Sequence, residues 1–330
     1  MSPKLIVVVG ATGTQGGSVV DTFLKDPEWK VRGLTRNTSS ASAEKLRTRG
    51  VEVVSANLGD PSSLVAAFAG ADAIFSVTDF WGAFLDPANS SKPAPGQALV
   101  EWVYEYELQQ GKNVLDAASQ IPDLQRLVFS SLAHVSKWSR GKYTHVYHYD
   151  SKAMAVEYGR AAHPELWKKT SIIQLGYYLT NFLRMPQLVQ ITKDKEGVYN
   201  LASRLNPKTK LPMIATDEDT GLFVKALVDT EPGKNLITYR EWMSLEEFIK
   251  VWSKVLGVKA KNVPFPDDFA WEGTPIELKR AIIEILAFCD EFGYQARDDP
   301  SVNHPKDLGI ELKLGTVEEW IKKQDWSRFL

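Results

Sequence analysis

Cysteine is nearly absent. Cys289 stands alone among 330 residues, which excludes an intramolecular disulfide framework and any metal site built on several thiolates. Histidine is almost as scarce, five residues scattered along the chain, so no metal cluster is expected. Charge of one sign is also lacking. Lys and Arg number 39 against 41 Asp and Glu, a formal net charge of −2, whereas a chain devoted to nucleic acid carries a basic face. No apolar run approaches the ~18 residues of a membrane span. The first run, Leu5–Val9, is too short for a signal core and ends in a glycine loop instead of a cleavage site. A cytoplasmic protein that engages neither membrane nor nucleic acid is therefore expected. What the chain does have is apolar mass: 44% hydrophobic residues, with 10 Trp, 11 Tyr and 14 Phe. That is too much for disorder and enough for one large α/β unit with an appendage.

Up to residue 175, short runs rich in Val, Ile, Leu and Phe alternate with longer amphipathic stretches. Strands are predicted at Leu5–Val9, Lys30–Leu34, Val51–Ser55, Ala73–Val77, Arg126–Ser130 and Thr170–Leu175, and helices at Gly17–Lys25, Pro61–Phe68, Ala98–Ala118 and Ser151–Ala162. Continuous apolar strands alternating with helices imply a parallel sheet covered on both faces. The fold class is α/β, a Rossmann-type doubly wound sheet with its crevice at the strand C-terminal ends. Residues 1–175 are expected to form the nucleotide-binding domain, and residues 176–330 a smaller α/β substrate region packing over the crevice. Asp79–Gly96 reads as an unusually long loop.

Gly10-Ala11-Thr12-Gly13-Thr14-Gln15-Gly16 follows the first strand and opens the first helix. Glycines there allow a tight turn and close backbone approach, and the helix start offers free N–H groups to a pyrophosphate. After the second strand the sequence reads Leu34-Thr35-Arg36-Asn37, with no carboxylate for ribose hydroxyls. Arg36 presents a planar fork for a 2′-phosphate, which points to NADP(H) over NAD(H). Asn57 and Leu58 are placed to flank the adenine, and Asp60 to cap the next helix.

These pieces, with Gln110-Gly111-Lys112-Asn113, Phe129-Ser130-Ser131-Leu132, His148-Tyr149-Asp150-Ser151-Lys152, Gly176–Phe182 and Asp217–Gly221 in that order, resemble the NmrA-like family of atypical short-chain dehydrogenases/reductases. The resemblance implies a Rossmann domain holding NADP(H), and it implies that Thr78, Lys152, Tyr178 and Asn181 line the cofactor, with Gln109 near the nicotinamide. Some members of that family reduce metabolites, others reshape them without net redox change, and others are silent redox-sensing regulators.

A reductase of this superfamily uses Tyr-x-x-x-Lys plus a serine. Here Lys152 fits the lysine, but His148 stands four residues earlier, and Leu132 falls at the serine position. Tyr147 and Tyr149 are each one residue out of register, about 100° away on a helix. His148, at i, i+4 from Lys152, is placed either for general acid–base work or for a local hydrogen bond at a helix start. Tyr143, Tyr147 and Tyr149 are the other candidate proton donors. Asp150 is predicted as a helix N-cap. The mixed basic and aromatic segment Lys137–His148 is expected to wall a pocket, with Trp81, Phe84 and Trp102–Tyr106 completing it, and Cys289 to be an inert core thiol. The chain therefore reads as an NADP(H)-binding enzyme for a small apolar, aromatic or polycyclic metabolite, acting by hydride transfer or by a cofactor-supported rearrangement. The alternative is a catalytically silent regulator, cytoplasmic or nuclear, that binds a protein partner.

Overall fold

The computed structural model describes residues 2–185, 188–265 and 275–330. Its first half alternates as the apolar pattern predicts. The strands are β1 (Lys4–Val8), β2 (Trp29–Thr35), β3 (Glu52–Ser55), β4 (Ala73–Ser76), β5 (Arg126–Ser131) and β6 (Thr170–Leu175). Between them lie α1 (Thr14–Phe23), α2 (Ala41–Arg47), α3 (Pro61–Phe68), α4 (Phe80–Leu85), α5 (Leu99–Ser119), α6 (Val135–Trp138), α7 (Tyr147–Ala162) and α8 (Pro164–Trp167). Asp60 does cap α3, accepting from the Ser62 and Ser63 N–H groups. The stretch expected as a long loop is not structureless: Asp79 caps α4, and Pro87–Asn89 makes a 3-10 turn.

The second half contributes β7 (Tyr177–Tyr178), α9 (Asn181–Arg184), β8 (Val189–Lys193), β9 (Tyr199–Ser203), β10 (Leu211–Ile214) and α10 (Thr216–Asp229). It continues with β11 (Asn235–Thr238), β12 (Glu241–Met243), α11 (Leu245–Leu256), β13 (Ala260–Pro264), α12 (Ile276–Phe292), β14 (Val302–Asn303) and α13 (Val317–Lys323). The main sheet has the order β14-β11-β6-β5-β4-β1-β2-β3, every pair parallel. Two three-stranded sheets, β12-β10-β7 and β13-β9-β8, stand apart from it. The main sheet thus takes two strands from beyond residue 175. All four residues of β11 are buried, and α10, which precedes it, lies beside α1 on the face of the sheet opposite α5 and α7.

Alternation along the strands explains the two-sided core. Ile6, Val8, Phe75, Val128 and Ile173 face the layer of Val20, Phe23, Phe223 and Leu227 from α1 and α10. Val7, Ile74, Leu127, Phe129 and Ile172 face Leu64, Phe68, Leu115 and Val156 from α3, α5 and α7. α1 and α10 touch at Gly221, where a Cβ would overlap the Ser18 carbonyl. The second core gathers Trp252, Trp320, Phe182, Phe248 and Phe288, and includes Cys289. Burial pushes that thiol up to about 12, so it is unreactive at neutral pH. No helix among the described residues is long and apolar enough to cross a membrane.

Candidate functional site

Because the main sheet is parallel, the segments after β1, β2, β3, β4, β5 and β6 all emerge along one edge, and the order reverses between β1 and β4. After β1 the chain turns at Gly10, whose φ of +69° is a left-handed conformation open to glycine. The Gly13 N–H then donates to the Gly10 carbonyl at 2.8 Å. Gly16 is demanded by packing, since a Cβ there would overlap the carbonyl of Gly10. Gly13 differs: its Cβ would meet only the Gly10 oxygen, at 3.3 Å, with open space beyond. Thr12, Gly13 and Thr14 are exposed, and Ala11 is buried beneath them. The N–H groups of Thr14, Gln15 and Gly16 have no acceptor among the described residues, and α1 carries neither a side-chain cap nor an acid in its first turn. This is an open, positive helix end shaped to take an anion such as a pyrophosphate.

Arg36, just past β2, is exposed and makes no ion pair or hydrogen bond among the described residues, leaving its fork free for a ligand. After β3, Asn57 Oδ1 accepts from the Gly59 N–H at 2.9 Å, and the Leu58 carbonyl accepts from Asn113 Nδ2 at 2.8 Å. Gln109 donates to Asn113 Oδ1 at 2.8 Å, in the same chain of hydrogen bonds that reaches the Leu58 carbonyl. Thr78 is buried just past β4. Gln15 ties the loop to the far side of the crevice: its Oε1 accepts from Ser130 Oγ at 2.9 Å, and its Nε2 donates to the Tyr178 hydroxyl at 2.8 Å. Burial pushes Tyr178 up to about 12, so it stays a neutral phenol. Asn181 opens α9 shortly beyond.

α7 begins at Tyr147, four residues before the predicted start. His148 and Lys152 consequently share a helical face. The Lys152 ammonium pairs with Glu107 of α5, and the same carboxylate accepts from the Ser151 hydroxyl. Glu107 is 1% exposed and was not singled out from the sequence. His148 sits among aromatic rings, 4.9 Å from Trp81, 4.9 Å from Tyr149 and 5.9 Å from Phe80 between centroids. That enclosure, helped by the nearby Lys152 charge, lowers its pKa to about 3. The ring is therefore neutral at physiological pH, with one nitrogen to donate and one to accept a hydrogen bond.

The three tyrosines diverge. Tyr143 is turned to α12, its hydroxyl donating to Glu291 at 2.7 Å. Tyr149 is buried beside Tyr294, whose hydroxyl donates to the Leu175 carbonyl at 2.9 Å. Tyr147 lies edge-on to Tyr104 and lines a cavity of about 290 Å³ with Tyr104, His134, Ser136, Thr144, Asp150 and Met154. Of the candidates, His148 stands four residues before Lys152, and its ring is the one beside Trp81 and Phe80. Asp150 is not the N-cap of α7. Because the helix starts earlier, Asp150 lies inside it, accepts from the Ser136 N–H at 3.2 Å and so closes the start of α6; desolvation raises its pKa. Phe80, Phe84, Val100 and Val103 form a separate apolar cluster, with Trp81, Trp102 and Tyr104 packed on it. Together α4, α5 and α7 make an aromatic wall beside Lys152.

The chain is similar to known proteins along most of its length. The NmrA-like oxidoreductase cpsB of Aspergillus campestris is 28% identical over 282 residues, covering 82% of this chain and 77% of its own. The structure of NmrA, a negative transcriptional regulator, in complex with NADP superposes with a TM-score of 0.74 at 19% identity, covering 98% of this chain and 95% of that one. Leucoanthocyanidin reductase of Vitis vinifera gives 0.65 at 17% identity, covering 97% and 100%. At such identities the two structures speak for the fold alone. The model of the NmrA-like family matches residues 2–321, nearly the whole chain, and the chain belongs to that family.

Proposed function

We propose that this protein is an NADP(H)-dependent enzyme that acts on an apolar, aromatic or polycyclic metabolite. The observation that carries the reading is the pairing, on one face of α7, of a half-buried Lys152 with His148, whose ring packs against Phe80 and Trp81 of α4. Support for the nucleotide comes from the uncapped loop, from the free Arg36, and from a family whose curated relatives are named oxidoreductases. The cofactor, when bound, supplies hydride from C4 of its nicotinamide. The chain's own residues do the rest. The N–H groups of Thr14, Gln15 and Gly16 would hold the pyrophosphate, and Arg36 would pair with the 2′-phosphate. Asn57 and Leu58 bound the adenine; Thr78, Tyr178 and Asn181 line the nicotinamide half; Lys152 holds its ribose. The aromatic wall excludes water and clamps a flat ring. His148, neutral, donates an N–H hydrogen bond to a substrate oxygen, and the proton that balances the hydride comes from the hydroxyl of Tyr147, which lines the neighbouring cavity. In a rearrangement or cyclisation the same wall steers the substrate while the nucleotide stays unchanged. Residues 1–175 hold the nucleotide in this reading, and residues 176–330 complete the substrate side.

A second reading rests on one specific observation. No tyrosine stands four residues before Lys152, and the histidine there is uncharged at neutral pH, which fits a redox-sensing regulator with a protein partner. Incubation with NADPH and a panel of planar aromatic ketones, imines and enones decides between them. Substrate-dependent loss of NADPH absorbance supports the reductase, and new product with NADPH intact supports the rearrangement. No turnover, together with partner binding that follows the NADP⁺/NADPH ratio, would establish the regulator.

A further inference from the structure

We propose that Glu107 is a positioning residue that fixes Lys152 and cancels its charge, and so sets how tightly the oxidised nucleotide is held relative to the reduced one. The inference rests on the reading that Lys152 stands at the nicotinamide ribose. Glu107 occupies the buried face of α5 in step with Val103 and Gly111. α5 and α7 approach closely at this level: a Cβ on Gly111 would lie 2.7 Å from that of Ala155. The carboxylate is thus sealed between two helices, and its partners are the Lys152 ammonium and the Ser151 hydroxyl. The side chains of Lys152 and Glu107 are 10% and 1% exposed. Desolvating such a pair offsets most of its attraction, and apolar residues of similar volume hold helices together as well or better. What an apolar pair does not provide is a fixed cation with a fixed counter-charge.

That difference matters to nicotinamide chemistry. The oxidised ring carries a positive charge and the reduced ring does not. An uncompensated ammonium at the ribose would repel the oxidised form in a crevice of low dielectric. With Glu107 behind it, Lys152 keeps its hydrogen-bonding capacity while the pair is neutral overall. The neighbouring His148 adds no charge at neutral pH. Asp79, across the crevice by Tyr178, is exposed and occupied in capping α4, so Glu107 is the buried counter-charge on this face.

The test is calorimetric titration of the full chain with NADP⁺ and with NADPH, each variant's melting curve confirming that it is folded. Glu107→Gln is expected to weaken NADP⁺ relative to NADPH by about 6- to 100-fold, the effect of one unscreened charge ~6–8 Å away at an effective dielectric of roughly 20–40. Glu107→Asp keeps the charge and is expected to restore the wild-type ratio. Lys152→Met is expected to weaken both nucleotides and move the ratio the opposite way. Should Glu107→Gln not fold, Lys152→Met compared with Glu107→Met/Lys152→Met isolates the same carboxylate: the single variant favours NADP⁺ and the double does not. A folded Glu107→Gln protein with a wild-type ratio, or equal ratios in that second comparison, overturns the proposal and leaves Glu107 a structural tie. Lys152→Met with both affinities unchanged overturns it differently, by removing Lys152 from the nucleotide.

Discussion

Gly13→Ala separates the binding role of the glycine loop from its folding role. In the native loop Gly13 has φ −92° and ψ 177°, extended values that alanine adopts freely. The added Cβ faces a single neighbour, the Gly10 oxygen at 3.3 Å, so a shift of a few tenths of an ångström accommodates it. Losing glycine from the N-cap costs up to ~1 kcal/mol, because alanine is the poorer cap, and the lower entropy of the unfolded chain offsets ~0.4–1 kcal/mol of that. The apo protein should therefore melt within about 2 °C of wild type, given roughly 2 °C per kcal/mol for a chain of this size. The same Cβ projects into the space beyond, where the pyrophosphate lies in our account. Wild-type protein at a hundredfold excess of NADPH over Kd gains about 2.7 kcal/mol by mass action, or roughly 5 °C. The variant should lose most of that gain. Differential scanning fluorimetry with and without NADPH reads both quantities. A Gly13→Ala protein that keeps the full NADPH-dependent rise would refute the placement of the phosphate. Gly16→Ala supplies the contrast, because its Cβ overlaps backbone and should depress the apo melting temperature itself.

Two further outcomes follow from the geometry. His148 has its pKa lowered from 6.5 to about 3, so below pH 6.5 the unfolded chain takes up a proton that the folded chain refuses; the contribution is whole above pH 6.5 and falls by about 1.4 kcal/mol per pH unit toward pH 3. His148→Phe should remove that slope, seen as urea midpoints that decline less between pH 6.5 and pH 4.5 than those of wild type, and parallel declines would contradict the lowered pKa of the ring. Gly221→Ala drives a methyl into the Ser18 carbonyl and should cost at least ~2 kcal/mol, whereas Gly17→Ala, 3.8 Å from its nearest neighbour, should be neutral or stabilise α1 by up to ~1 kcal/mol; equal denaturation midpoints would contradict the close helix approach.

What the sequence revealed and what it hid divide along a physical line. The six leading strands were legible as apolar runs because both faces of a parallel sheet are covered, and the loop Gly10–Gly16 was legible because its chemistry is local. α4 was hidden in Asp79–Gly96 because six residues are too few to show a helical period. The start of α7 was misplaced for a related reason: Asp150 resembles a cap, but the N–H it accepts belongs to Ser136, on another helix. For strand β11, nothing within Asn235–Thr238 says that β6 is its neighbour. The low pKa of His148 likewise depends on Phe80 and Trp81, far away in sequence. Glu107 is the exception. An acid on the buried stripe of Val103, Gly111 and Val114 breaks the amphipathic pattern of a long helix, and an acid so placed calls for a buried partner.

The account centres on a nucleotide held by the loop Gly10–Gly16 and selected by Arg36. Calorimetric titration of the wild-type protein and of Arg36→Ala with NADPH and NADH, in one buffer, tests this most directly. Two charge-assisted hydrogen bonds to the 2′-phosphate should make NADPH about ten- to a hundredfold tighter than NADH. Arg36→Ala should erase most of that difference by weakening NADPH and leaving NADH nearly unchanged. Equal wild-type affinities, tighter binding of NADH, or losses shared by both nucleotides in Arg36→Ala would contradict it.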